Sequence, residues 1–158
     1  MKKVLTLLFA VLVCACTDSE ADRGILVDPI IGVWQPDRIV TVLNNGNEDS
    51  KIFTACEMNN RYTFHADGRF NMTDYPEGDD ANCEELVGNL YLSGTWTRWN
   101  ETVYVIELVC AIPNCDEIEE EVPDEVTFPN EMTMRIKEID EDPDDEIDYF
   151  YYYYKRIQ

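Results

Sequence analysis

The chain reads as all-β, an eight-stranded antiparallel up-and-down barrel, on three observations. Apolar and polar residues alternate in short runs, turn residues punctuate those runs at regular intervals, and no segment carries a 3.6-residue period. Hairpin connections make successive strands neighbours, and pairing the first strand with the last leaves no open edge. A two-sheet sandwich is the competing arrangement of the same strands.

The elements follow in order. Ile30-Ile31-Gly32-Val33-Trp34 opens the domain and continues into the β-branched run Ile39–Leu43 as the first strand, stopped by Asn44-Asn45-Gly46-Asn47. Arg61–Tyr75 makes a hairpin from the second and third strands. Tyr62 and Phe64 alternate with Thr63 and His65, and Phe70 and Met72 with Arg69, Asn71 and Thr73. Asp67 supports the intervening turn, and Gly68 supplies the positive φ it needs. Pro76–Glu85 is a loop. Leu90–Arg98 and Thr102–Val109 are the fourth and fifth strands, joined through Trp99-Asn100-Glu101. Cys110–Cys115 is a loop because Pro113 lacks a ladder donor. Glu119–Phe128, interrupted by Pro123, is the sixth strand, and Met132–Lys137, turned out of Pro129-Asn130-Glu131, is the seventh. An acidic loop, Asp140–Glu146, leads into the last strand, Ile147–Ile157.

With 158 residues, 45% hydrophobic and 28% charged, the chain holds one core and little beyond it. Its amino end reads as an address. Lys2 and Lys3 precede an apolar run, Val4–Val13, that is too short to span a bilayer, so residues 1–15 are expected to be a signal peptide. Val13-Cys14-Ala15-Cys16 resembles a bacterial lipobox, with Cys16 as the lipidated residue; an ordinary secretory cleavage near Ala15 is the plainer reading. Residues 16–29, polar and acidic through Thr17–Arg23, form a flexible tether, and residues 30–158 the barrel domain. Asp18, Glu20 and Asp22 after the lipidated cysteine favour the outer membrane, with the cell-surface face ahead of the periplasmic one.

Formal net charge is -21, and cleavage after Ala15 would remove Lys2 and Lys3 but no acid, leaving 10 basic against 33 acidic residues. Such a chain repels nucleic acid, so no nucleic-acid partner is expected, and membrane association falls to the lipid anchor.

Ile31-Gly32-Val33-Trp34, Tyr62–Phe70, Ser93-Gly94-Thr95-Trp96 and a closing Tyr154-Lys155-Arg156, taken in order, resemble the bacterial lipocalin-like lipoproteins over Ile30–Gln158. The resemblance implies an eight-stranded barrel with an apolar cup. It also implies that Trp34 packs at the closed end against a basic side chain of the last strand, Arg156 or Lys155. The acidic loops and the Tyr151–Tyr154 run depart from that pattern.

Four cysteines remain after Cys16. An exported chain with an even number of thiols is expected to pair them, here Cys110 with Cys115 across a short proline-containing loop and Cys56 with Cys83. Zinc is the rival, but the spacing is not that of a zinc site. Asp140–Asp148 places acids at the first, third, fifth and ninth positions of a calcium loop. However, Asp145 stands where glycine is needed and Tyr151 where a bidentate glutamate should close the shell, so a solvated acidic loop is expected. No metal or cofactor is called for. His65, the lone histidine, reads as an exposed turn residue, and neither Ser50 nor Ser93 carries a nucleophile motif, so the chain is not read as an enzyme.

Tyr62, Phe64, Phe70, Met72, Leu92 and Trp96 are the expected inward-facing residues, either lining a ligand site or filling the interior. Tyr149–Tyr154 puts aromatic rings on both faces of the last strand: an internal wall, with an outer strip either covered or exposed. Two functions result. One is binding of a small apolar or amphipathic ligand in the barrel. The other is an interaction module with a filled barrel that meets a protein or glycan through its acidic loops and tyrosine strip.

Overall fold

The computed structural model describes residues 27–76, 83–86, 93–109, 123–140 and 146–158. Among these residues nine strands are formed: β1 (Gly32–Leu43), β2 (Glu48–Ile52), β3 (Tyr62–Phe64), β4 (Arg69–Met72), β5 (Ser93–Arg98), β6 (Val103–Val109), β7 (Asp124–Asn130), β8 (Thr133–Ile139) and β9 (Ile147–Arg156). A 3₁₀ turn, Glu57–Asn59, lies between β2 and β3. Every pairing is antiparallel, and β9 returns to pair with β1 from Trp34↔Arg156 to Leu43↔Ile147. The sheet is therefore a closed barrel.

Nine strands make eight staves because β2 and β3 share one edge of β1. β2 pairs with its second half, Arg38↔Ile52 through Val42↔Glu48, and β3 with its beginning, Gly32↔Phe64 through Trp34↔Tyr62. The two are one stave interrupted at residues 53–61. That interruption carries Cys56, which is bonded to Cys83 as expected. The bridge closes a loop of 27 residues' separation, which by chain entropy constrains the unfolded state by about 3–4 kcal/mol. Strand β2, Glu-Asp-Ser-Lys-Ile, is exposed at all five positions, so no periodicity marked it; the hairpin turn at residues 44–47 lays it along β1.

β1 runs unbroken through Pro36. A register shift between Pro36 and Arg38 leaves Asp37 as a bulge, the setting in which a strand proline is tolerated. β7 likewise extends through Pro129 to Asn130, with a shift between Thr127 and Asn130, and begins just after Pro123. The expected Cys110–Cys115 bridge, Leu92 and residues 1–26 with Cys16 lie outside the described residues.

The closed end is built from the β3–β4, β5–β6 and β7–β8 turns and from the chain leading into β1. Trp34 and Ile30 are fully buried there, and the Trp34 Nε1–H donates to the Ile30 carbonyl at 2.7 Å. The Tyr104 hydroxyl donates to Asp28 Oδ1 at 2.8 Å, and Arg98 pairs with Asp28 Oδ2 at 3.3 Å, so Asp28 pins this segment beneath the barrel. The Arg156 guanidinium lies 4.3 Å over the Trp34 ring and donates to the carbonyls of Ile31 (2.6 Å), Glu131 (2.9 Å) and Pro29. Gly32 makes room for that fork. Its φ is +144°, and a Cβ there would stand 2.8 Å from Arg156 Nη1 and 2.7 Å from the Gln158 carbonyl oxygen.

Candidate ligand cup

Register and burial together say which side chains face inward. Tyr104 is fully buried and registers with Asp124; Met134 (1% exposed) registers with Tyr154, Ile136 with Tyr152, and Glu138 with Phe150. Alternation then puts Tyr104, Ile106 and Leu108 of β6, Asp124 and Val126 of β7, Met134, Ile136 and Glu138 of β8, and Phe150, Tyr152 and Tyr154 of β9 on one inner face.

The lower half of that interior is a continuous chain of rings. Trp34 meets Phe128 (centroids 5.9 Å apart), Phe128 meets Tyr104 (6.3 Å), and Tyr104 meets Trp96 (6.2 Å). The chain goes on from Trp96 to Phe64 (6.2 Å), Phe64 to Phe70 (4.9 Å), Phe70 to Tyr62 (6.4 Å) and Tyr62 to Tyr154 (5.1 Å). The Trp96 Nε1–H is satisfied by the His65 carbonyl at 2.9 Å. Of the side chains the sequence places inside, Phe64, Phe70 and Trp96 are therefore brought together as a packed floor. Tyr62 and Met72 stand half-buried above them.

Above the floor the inner face opens. Along β6 the inward positions go from fully buried Tyr104 through half-buried Ile106 to Leu108, 37% exposed. β8 goes from buried Met134 through Ile136 to exposed Glu138, β9 from buried Tyr154 to half-buried Tyr152 and Phe150, and β4 from buried Phe70 to half-buried Met72. Strand β1 adds Ile39 and Thr41, registered with Tyr152 and Phe150 and half-buried. The exposure rises in the same direction on every one of these staves, toward the end where β4, β6 and β8 finish.

Two carboxylates belong to this upper face. Burial, reinforced by Glu138, pushes the Asp124 carboxyl up to about 6. Tyr154 is raised well above the usual phenol range by burial first, then by the neighbouring Tyr62, Tyr152, Asp124 and Glu138. Burial also raises Tyr62, aided by Asp74 and opposed by its hydrogen bond with Tyr154.

The outer face of β9 is different. Tyr149, Tyr151 and Tyr153 form an edge-to-face ladder with spacings of 5.0 and 6.3 Å. Lys137 sits 4.3 Å over Tyr149, Arg135 4.2 Å over Tyr151 and Arg38 4.0 Å over Tyr153. Val40 and Val42, registered with Tyr151 and Tyr149, are buried on this outer side, away from the interior cluster. The tyrosine run thus supplies an inner wall and an outer layer capped by cations.

Sequence reasoning named residues of the floor and missed most of the upper wall. Ile106, Ile136, Phe150 and Tyr152 were legible as alternating strand residues. Only the register across β6–β9, however, ranks them by height in the barrel. His65 holds Asn71 Oδ1 through Nε2 at 3.0 Å on the exposed side, as a turn residue does. Among the described residues no group of three or more His, Cys, Asp or Glu is placed to hold a metal.

Comparison with known families gives a match over residues 30–142 to the family described as a lipocalin-like domain. A search of curated proteins finds no match.

Proposed function

The chain belongs to the lipocalin-like domain family, and from that premise we propose that it is a lipid-anchored envelope protein binding a small apolar or amphipathic molecule in the upper half of its barrel. The observation that carries this reading is the graded inner face: a sealed aromatic floor below, and half-buried Ile39, Ile106, Ile136, Phe150 and Tyr152 above it. Side chains that face inward yet keep accessible area are what a ligand can cover. Pockets of this kind are mostly apolar with a few placed polar groups. The competing interaction module needs bare tyrosine faces on the outside, and Arg38, Arg135 and Lys137 already cover Tyr153, Tyr151 and Tyr149.

Anchoring rests on Val13-Cys14-Ala15-Cys16. Lipid on Cys16 and a tether that ends where Asp28 is pinned beneath the barrel, at most about 40 Å of extended chain, would hold the barrel near the outer membrane. The chain enters β1 at the closed end, so the tether joins the barrel at the end opposite its mouth. The acids after Cys16 favour the cell surface over the periplasmic face, and protease shaving of intact cells checks it.

Two measurements test the reading. Native mass spectrometry of envelope-purified protein is expected to show one bound small molecule, and a fluorescent apolar probe is expected to bind at one site. Tyr152→Ala should weaken that probe, whereas Tyr153→Ala, its outward neighbour, should not. A protein that takes up no apolar probe would overturn cup binding. Palmitate labelling that survives Cys16→Ala would overturn the anchor.

A further inference from the structure

Given the cup reading above, on which this step rests, we infer that the ligand carries a positive charge: the barrel takes an organic cation with an apolar body, its head group against Asp124 and Glu138 and its tail on the rings of Phe150 and Tyr152.

The inner face supports this first. Asp124 stands two residues from buried Val126 and in register with buried Tyr104, so its carboxyl points into the barrel, and Glu138 faces inward from β8 four residues above buried Met134. Glu125 registers with Lys137 and Val126 with Ile136, so Asp124 and Glu138 stand side by side across β7 and β8. The basic groups of the interior are at the opposite end. Arg156 and Arg98 are committed to carbonyls and to Asp28 beneath Trp34 and Tyr104. Of the other described basic residues, Lys51 alone shares the inner side of the wall, on fully exposed β2 beside Asp49 of the same face. A ligand with a carboxylate head would meet Asp124 and Glu138 beside the rings, whereas Arg135 and Lys137 of the same wall face outward.

The aromatic wall supports it second. Phe150 and Tyr152 lie 6.3 Å apart on the inner face, with Tyr62 and Tyr154 below. Ring faces attract ammonium groups, more strongly where water is thinned out.

Third comes the long-range field. β4, β6 and β8 end at the open end, and the described residues of the connections that follow them, 73–76, 83–86, 123, 140 and 146, include Asp74, Glu84, Glu85, Asp140 and Glu146 and no lysine or arginine. Acid concentrated around a low-dielectric opening raises the local concentration of cations and repels anions.

The test compares three probes that share a twelve-carbon tail and differ in the head: dodecyltrimethylammonium, a neutral dodecyl glycoside and dodecanoate. They are titrated below their micelle concentrations at about 150 mM salt, with stoichiometry read by native mass spectrometry. The expected result is one bound cation, with affinity at least about tenfold above that of dodecanoate. Asp124→Asn with Glu138→Gln should remove most of that preference. Glu125→Gln, one charge removed at the neighbouring outward position, should leave it in place where Asp124→Asn alone lowers it, and so separates the cup from attraction to the acidic surface as a whole. Melting curves of each variant exclude loss of fold as the cause. If dodecanoate or the glycoside binds as tightly as the cation, or if Glu125→Gln matters as much as Asp124→Asn alone, the assignment of charge is overturned while the cup stands. If none of the three binds, the cup itself is overturned.

Discussion

Arg156 shows how much one side chain holds at the closed end. Its planar fork stacks on Trp34 and donates to three carbonyls from two separate segments, Pro29/Ile31 and Glu131. Lysine keeps the charge but neither the plane nor the fork. Arg156→Lys is expected to destabilise by about 1–3 kcal/mol, read as a shift in denaturant midpoint at unchanged slope. Asp124 works in the other direction. Its carboxyl is raised to about 6 in the fold, so between roughly pH 4 and pH 6 the unfolded chain has already released a proton that the folded chain still holds. Stability contributed at this position therefore falls as pH rises through that window, and the penalty is complete above it. Asp124→Asn removes the ionisation and should raise Tm by roughly 2–6 °C at pH 7.5, with the gain vanishing near pH 4. A gain of equal size at both pH values would contradict that cause. Asp124 and Arg156 were unequally legible. Arg156 stood out through its place after the closing tyrosines, whereas Asp124 follows Pro123 among many acids, and nothing local says that it points inward.

At the scale of strands, β5 and β6 are held together by an absence. Gly94 registers with Leu108, and a Cβ at Gly94 would lie 2.0 Å from the Glu107 carbonyl oxygen, a backbone atom that cannot swing aside. Gly94→Ala is expected to cost about 3 kcal/mol or more, by forcing the two strands apart beside Trp96, and its denaturant midpoint compared with wild type measures this. Ser-Gly-Thr-Trp was visible in the sequence as a motif; its close approach was not, because a glycine in a strand pattern is equally consistent with a bulge. Other elements divide along the same line. The hairpin of β3 and β4 was readable from alternation and the Asp67-Gly68 turn, and Gly68 does take a φ of +84°. β2 was not, since five exposed polar and mixed positions carry no period. Pro129 argued for a break in the sequence, yet a bulge absorbs it, as another does at Pro36.

Over the whole molecule the -21 net charge is the dominant electrostatic fact. Self-repulsion opposes compaction and is screened by salt, so raising sodium chloride from about 10 to 500 mM should raise Tm by several degrees. Calcium at matched ionic strength should add nothing further if the Asp140–Glu146 loop is simply solvated; an additional saturable rise at micromolar calcium would show a site there. The sequence by itself determined the fold class and the number of staves, and its family resemblance put Trp34 at the closed end with Arg156 or Lys155, between which the structure chose Arg156. Alternation, turn chemistry and motif order are local properties, and an up-and-down barrel pairs neighbours with neighbours. Only the tertiary structure decided which aromatic residues seal the floor, which stand open above it, and that Asp124 and Glu138 share that upper face. Height along a barrel depends on the stagger of each strand against the next, and stagger is set by pairing across the sheet rather than by any residue's own neighbours in the chain.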